Sequence, residues 1–241
     1  MIVDTDSIDF PPLCEDLVTP GVRRRILLSE VDVLLDGGAN SGLYGIWARQ
    51  CGFRGRIVSF EPAVEVFQAL SSVAAADGNW ECYNVALGMD DGEGTLHLST
   101  STLGTSLFEP SPDHLRAWPD DVSAGSERVS IRSLKSLWPD LDCDGSGIYL
   151  KLDIEGAELA ALKGAGPILD EIAFVEAEMA LVDLYRGGAG FGEIFDFLRR
   201  RKFAVVALEQ KGGDDQLTGQ MLQIDGIFRS STAHRSPGSG T

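Results

Sequence analysis

The run Val31-Asp32-Val33-Leu34-Leu35 stops on Asp36 and the glycine-rich segment Gly37-Gly38-Ala39-Asn40-Ser41-Gly42, after which a helical pattern begins. A compact β-branched and leucine run of this kind suits a strand buried in a parallel sheet, and glycines let the chain turn tightly with room for a ligand against the main chain. The pattern then repeats. Strands are expected at 56–60, 82–87, 148–154 and 172–179, and helices at 42–51, 64–76 and 157–169. In the second of these helices Val66, Phe67, Leu70, Val73 and Ala74 form an apolar stripe. A short helix near 21–29 precedes the series, and a helix at 191–201 follows it. Strands at 203–208 and 221–228, joined by a glycine-rich polar turn, read as an antiparallel hairpin. This alternation predicts an α/β fold: a mostly parallel sheet with a C-terminal antiparallel strand and helices on both faces. Ligands of such sheets bind beyond the carboxyl ends of the strands, so the residues that close each strand carry the functional information.

The rest of the chain divides around that core. Residues 1–30 form a proline-bearing lead-in and the first helix, 31–229 a single α/β domain, and 230–241 a flexible tail. A strand at 94–99 is expected as an extra edge strand. The Ser-, Thr-, Pro- and Asp-rich stretch 100–127 has weak periodicity and reads as a lid over the site. Acids outnumber bases 37 to 20, a formal charge of −17, which argues against nucleic-acid partners, because their affinity rests on lysine and arginine displacing counterions. Arg23–Arg25 and the 199–202 run read as solvated helix surface. Cys14, Cys51, Cys82 and Cys143 have neither disulfide-framework nor zinc spacing. The N-terminus lacks a signal-peptide pattern, and no apolar run approaches the ~20 residues of a membrane span. A reducing cytoplasm is therefore the expected location.

The segment after the first strand departs from the G-x-G-x-x-G of dinucleotide sites, and Asp36 would repel a pyrophosphate at the helix N-terminus. S-adenosylmethionine (SAM) has no phosphate and carries an ammonium and a sulfonium, so an acid there is favourable; a plain helix-capping turn is the alternative. Glu61 closes the second strand 25 residues later, where an acid can accept both ribose hydroxyls.

The segments LLDGGANSGLYG, VSFEP, YNVALG and YLKLDIEGAELAALKGA, in that order over about residues 31–180, resemble the FkbM family of SAM-dependent methyltransferases. Gly37 replaces the valine of the family's D-V-G-A-N-x-G pattern. Lys151, Asp153, Glu155, Gly156 and Glu158 match its K-x-D-x-E-G-x-E signature. The resemblance implies a Rossmann-like class I methyltransferase fold and methyl transfer to a hydroxyl of a sugar, glycan or secondary metabolite. N-methylation of a small amine and a catalytically silent SAM-binding protein stay open, as does a homo-oligomer. The expected cofactor set is Asp36, Gly37, Gly38, Asn40, Gly42, Glu61, Pro62, Asn84, Ala86 and Asp153.

Asp153 and Glu155 close the fourth strand as candidate catalytic residues, with Glu158 as a helix-capping acid. Glu176 and Glu178 close the fifth. Carboxylates on neighbouring strand ends can hold Mg²⁺, and the expected pair is Asp153 with Glu176, supported by Glu155 or Glu178; structural ion pairs with Lys151 or Arg186 are the alternative. Of the three histidines, His97 is expected on an edge strand and His234 in the tail. His114, in the 100–127 stretch, is the candidate base, with Ser106 in the same substrate wall.

Overall fold

The computed structural model describes residues 21–143, 146–211 and 218–232; Cys14, His234, the 1–20 lead-in and the tail from 233 lie outside them. Seven strands form one sheet in the order β3-β2-β1-β7-β8-β10-β9. Their ranges are β1 Val33–Gly37, β2 Arg56–Phe60, β3 Trp80–Tyr83, β7 Ile148–Leu152, β8 Phe174–Ala180, β9 Phe203–Gln210 and β10 Gln223–Ser230. Every pairing is parallel except those of β10, which lies antiparallel between β8 and β9. The order reverses at β1, whose two neighbours are β2 and β7, so the glycine segment opens at the topological switch point.

Helices α1 (Val22–Leu28), α2 (Leu43–Gln50) and α3 (Val64–Ala75) pack on one face through Leu34, Ile57, Tyr149, Phe174 and Ile227. The other face, carrying Leu35, Val58, Leu150, Leu152 and Val175, is covered by α5 (Leu134–Leu141), α6 (Glu158–Ala165) and α7 (Phe191–Arg200). Leu134, Leu137, Trp138 and Leu141 are all buried at helical spacing in α5, yet the sequence reading contains no helix there, because Pro139 is poorly suited to a helix interior. The helix expected over 157–169 ends its α-helical part at Ala165 and continues as a 3₁₀ turn, Gly166–Glu171, around Pro167.

The strand expected at 82–87 splits in two. Asn84 leaves the ladder, and its side-chain amide donates to the carbonyls of Glu61 and Pro62, both at 2.9 Å. Beyond that kink β4 (Ala86–Leu87) joins β5 (Gly92–Ser99) and β6 (Ser123–Arg132) in a separate three-stranded sheet, order β4-β6-β5. The 94–99 strand is thus no edge of the main sheet, and 100–127 is not uniformly irregular. Residues 123–127 pair with β5, and α4 (Pro112–Ala117) is capped by Ser111, whose hydroxyl accepts from the Asp113 and His114 amides. Most of β6 is exposed, so no buried face imprinted an apolar alternation on its sequence.

On the α1 side, strands change from apolar to charged toward their carboxyl ends: Leu34 then Asp36, Tyr149 then Lys151, Phe174 then Glu176 and Glu178. Glu176 accepts from Arg24 Nε at 2.6 Å, Tyr44 OH at 2.7 Å and Tyr149 OH at 2.6 Å. Arg24 continues to Glu209 and Asp225. Because removing one partner of a buried ion pair strands the other, Arg24→Met should lower the unfolding free energy by about 3–5 kcal/mol in urea titration.

At the start of α6 the backbone turns through two left-handed residues, Glu155 (φ 54°) and Gly156 (φ 97°). Glu158 braces this turn, accepting from the amides of Ile154 at 2.8 Å and Gly156 at 3.0 Å. Burial, reinforced by Glu178, pushes its carboxyl up to about 8 from 4.5. The folded chain therefore holds this proton to higher pH than the unfolded chain. The stability it contributes is complete below pH 4.5 and is lost as pH rises to about 8. Glu158→Gln should flatten that part of the stability–pH curve, measured by denaturant unfolding across the window.

Candidate active site

A cavity of about 900 Å³ opens beyond the carboxyl ends of β1, β2, β7 and β8. Its floor is the glycine segment, locked by Lys151. The Lys151 ammonium lies 3.0 Å from Asp36 and donates to the carbonyls of Gly37 at 3.3 Å and Gly38 at 3.0 Å. Burial opposes the charge on Lys151, but Asp36 and Asp153 together outweigh it and raise the pKa. Gly38 has φ +71°, and a Cβ there would stand 1.9 Å from the Asp153 carbonyl oxygen, so only glycine fits. Asn40 (φ 49°) donates its amide to Glu61 Oε2 at 2.9 Å, and the Ala63 amide meets Glu61 Oε1 at 2.9 Å. Burial raises the Glu61 carboxyl while these amides oppose the shift.

Gly38, Asn40, Glu61, Pro62, Ala86 and Asp153 of the expected cofactor set line the cavity. Asp36 does not; it is fully buried and acts behind the wall through Lys151. Gly37 lies within β1, where a Cβ would crowd Leu152 and Leu87, and Gly42 (φ +91°) caps α2 beneath Leu70 and Trp80. Asn84 holds the kink between β3 and β4.

At the far side Asp153, Glu155 and Glu178 bring carboxylate oxygens within 4.8 Å of one another. Lys211, immediately beyond β9, places its ammonium 2.7 Å from Asp153 Oδ2 and 2.6 Å from Glu178 Oε1. Tyr185 OH donates to Glu155 Oε2 at 2.8 Å. Burial is outweighed at Asp153 by Lys151 and Lys211, which hold its carboxyl below the usual value. Burial and Asp153 push Glu178 up to about 7, and burial with Glu178 raises Glu155 well above the carboxylate range. Glu176 takes no part. It lies two residues back along β8, roughly 6–7 Å from Glu178, and is engaged by Arg24, Tyr44 and Tyr149. The expected metal pair Asp153–Glu176 is therefore not formed. The donor set that remains is Asp153, Glu155 and Glu178, and an ammonium bridges two of its members, so the arrangement does not fit a divalent ion.

The roof is the segment between β5 and β6. Asn40 Nδ2 donates to Thr102 Oγ1 at 3.1 Å, and Ser106 Oγ donates to the Glu155 carbonyl at 2.6 Å. His114 is buried on α4, its ring 5.0 Å from that of Trp118 and 5.1 Å from that of Tyr185. Its Nε2 is 3.0 Å from Asp121 Oδ2, while Nδ1 has no hydrogen-bond partner among the described residues. Ser99 and Ser101 both donate to Asp121 Oδ1. His97 stays in β5, bridged through its backbone to Ser106. The sequence reading overlooked Lys211, Tyr185 and Asp121. Only Lys211 had a legible signal, a base at the end of a strand-like run; Tyr185 reaches Glu155 from 30 residues away, and Asp121 meets His114 only because the loop after α4 folds back.

The pattern of the methyltransferase FkbM domain matches residues 36–205. Methyltransferase sdnD of Sordaria araneosa is 27% identical over 154 residues, 54% of this chain and 59% of that protein. The crystal structure of methyltransferase FkbM from Methylobacillus flagellatus KT superposes with a TM-score of 0.52 at 17% identity, covering 82% of this chain and 44% of the other. The chain thus spans less than two thirds of the length of both. The fold shared with the latter is the Rossmann-like class I methyltransferase fold, and the domain match covers well over half of the sequence: the chain belongs to the FkbM methyltransferase family.

Proposed function

We propose that this protein transfers a methyl group from SAM to a hydroxyl of a small molecule, a sugar or glycan or a secondary metabolite. SAM supplies an electrophilic methyl on a positively charged sulfur. The floor of the cavity suits it. At Gly38 no side chain intervenes between ligand and main chain, and each Glu61 oxygen has one backbone donor, leaving acceptor capacity for the two ribose hydroxyls. Pro62 and Ala86 offer apolar flanks for the adenine. Asp153 and the acids behind it favour the cationic end of the cofactor.

The observation that carries the hydroxyl reading is the buried His114–Asp121 pair. A carboxylate only accepts, so Asp121 keeps the proton on Nε2 and leaves Nδ1 as the basic nitrogen. An alcohol attacking the methyl carbon must lose its proton, whereas a neutral amine needs no base before attack, and a silent SAM-binding protein needs none at all. Binding then aligns the acceptor oxygen with the methyl carbon, the larger part of the catalysis. Leu96, Leu107 and Trp118 give the acceptor side an apolar wall, and the net charge of −17 disfavours a nucleic-acid acceptor. Among the described residues no helix is long and apolar enough to cross a membrane; we place the enzyme in the cytoplasm.

Two measurements test this. By calorimetry, Glu61→Gln should weaken SAM binding by about 1–3 kcal/mol; unchanged affinity would remove the ribose role. His114→Gln should lower kcat by about 10²–10⁴-fold, read as S-adenosylhomocysteine release over a panel of small hydroxyl compounds, with SAM affinity unaltered. Equal turnover in His114→Gln would return the choice to amine acceptors.

A further inference from the structure

We infer that Lys211 is the resident cation of this site, standing where a divalent metal would otherwise be needed, so that methyl transfer here is metal-independent. The inference rests on the reading of the cavity as the methyl-transfer site. Three carboxylates from two strand ends, Asp153, Glu155 and Glu178, converge within 4.8 Å. Glu178 is 4% exposed, so its charge cannot be left to water. A hard cation with oxygen ligands is the usual answer to such a cluster. This chain answers it differently: the Lys211 ammonium bridges Asp153 Oδ2 at 2.7 Å and Glu178 Oε1 at 2.6 Å. The third acid, Glu155, accepts the Tyr185 hydroxyl. Lys211 lines the cavity from the end of β9, two strands away from β8 in the sheet order, and reaches across β10 to make these contacts. The ammonium also faces Asp225 on β10, and Lys151 lies 3.9 Å from the same Asp153 oxygen. Lys211 thus answers two of the three acids and Tyr185 the third, while Lys151, paired with Asp36, adds only the longer contact; a divalent cation entering the cluster would have to expel Lys211 from both carboxylates.

The substitution that removes the ammonium should therefore uncover a latent metal site. Manganese(II) alone serves as the probe, followed by electron paramagnetic resonance and calorimetry on the full chain. The wild type should bind Mn²⁺ no more tightly than Glu178→Gln does, which shows that its manganese sits on the acidic surface and not in the cluster. Lys211→Gln should gain one site, tightened by at least about tenfold over the wild type because it leaves carboxylates uncompensated. Lys211→Gln combined with Glu178→Gln should lose that site again. Methyl transfer by the wild type should survive chelation. A wild-type Mn²⁺ site abolished by Glu178→Gln would overturn the inference, even if Lys211→Gln failed to fold; so would a folded Lys211→Gln that gains no site. SAM calorimetry on the wild type separates the two claims: absence of SAM binding strikes the proposed function, whereas the manganese results bear on Lys211.

Discussion

Lys151 is buried beside the point where the strand order reverses, and its ammonium holds together three things that the chain brings from distant positions. It neutralises Asp36 at 3.0 Å, draws in the carbonyls of Gly37 and Gly38, and lies 3.9 Å from Asp153. Asp36 and Lys151 are register partners on adjacent parallel strands, so their side chains stand side by side on one face. Without that positive charge, a fully buried Asp36 would face a low-dielectric interior alone. With it, the glycine segment is fixed against the end of β7, close enough that no side chain fits at Gly38. The floor of the cavity is thus built before any ligand enters.

The same face continues the principle outward. Leu34, Tyr149 and Phe174 belong to the apolar core beneath α1 to α3, and the next residues on that face are Asp36, Lys151 and Glu176. Each buried charge has a designated partner. Arg24 on α1 answers Glu176, Glu209 and Asp225, and Lys211 answers Asp153 and Glu178. Two acids in neighbouring positions on β8 therefore have different fates: Glu176 ties a helix to the sheet, while Glu178 belongs to the cavity wall.

The roof has another origin. The kink at Asn84 sends the chain out of the large sheet into the small one, and the β5–β6 excursion returns over the cavity. Its contacts to Asn40 and Glu155 are hydrogen bonds from single side chains rather than a packed core. Elsewhere the segment is tied more firmly: the Ser111 amide donates to the Leu184 carbonyl and the Arg186 amide to the Glu109 carbonyl, both at 2.9 Å, and the His114 ring packs on Tyr185.

Sequence alone determined the alternation of strands and helices, the switch point after β1, the antiparallel end of the sheet and the strand-end acids Glu61 and Asp153. Each of these is local, written either in apolar periodicity or in the residue that follows a strand. The resemblance of four ordered motifs added the family. Tertiary structure alone decided which acids share a space. Residues two apart on β8 point to one face, but the register with β7 and the reach of Arg24 separate Glu176 from Glu178. It also placed Lys211 on Asp153, 58 residues away in the chain, and folded the loop after α4 back so that Asp121 meets His114. Nothing in the local pattern encodes these pairings, because burial selects partners for charges only after the backbone has brought them together.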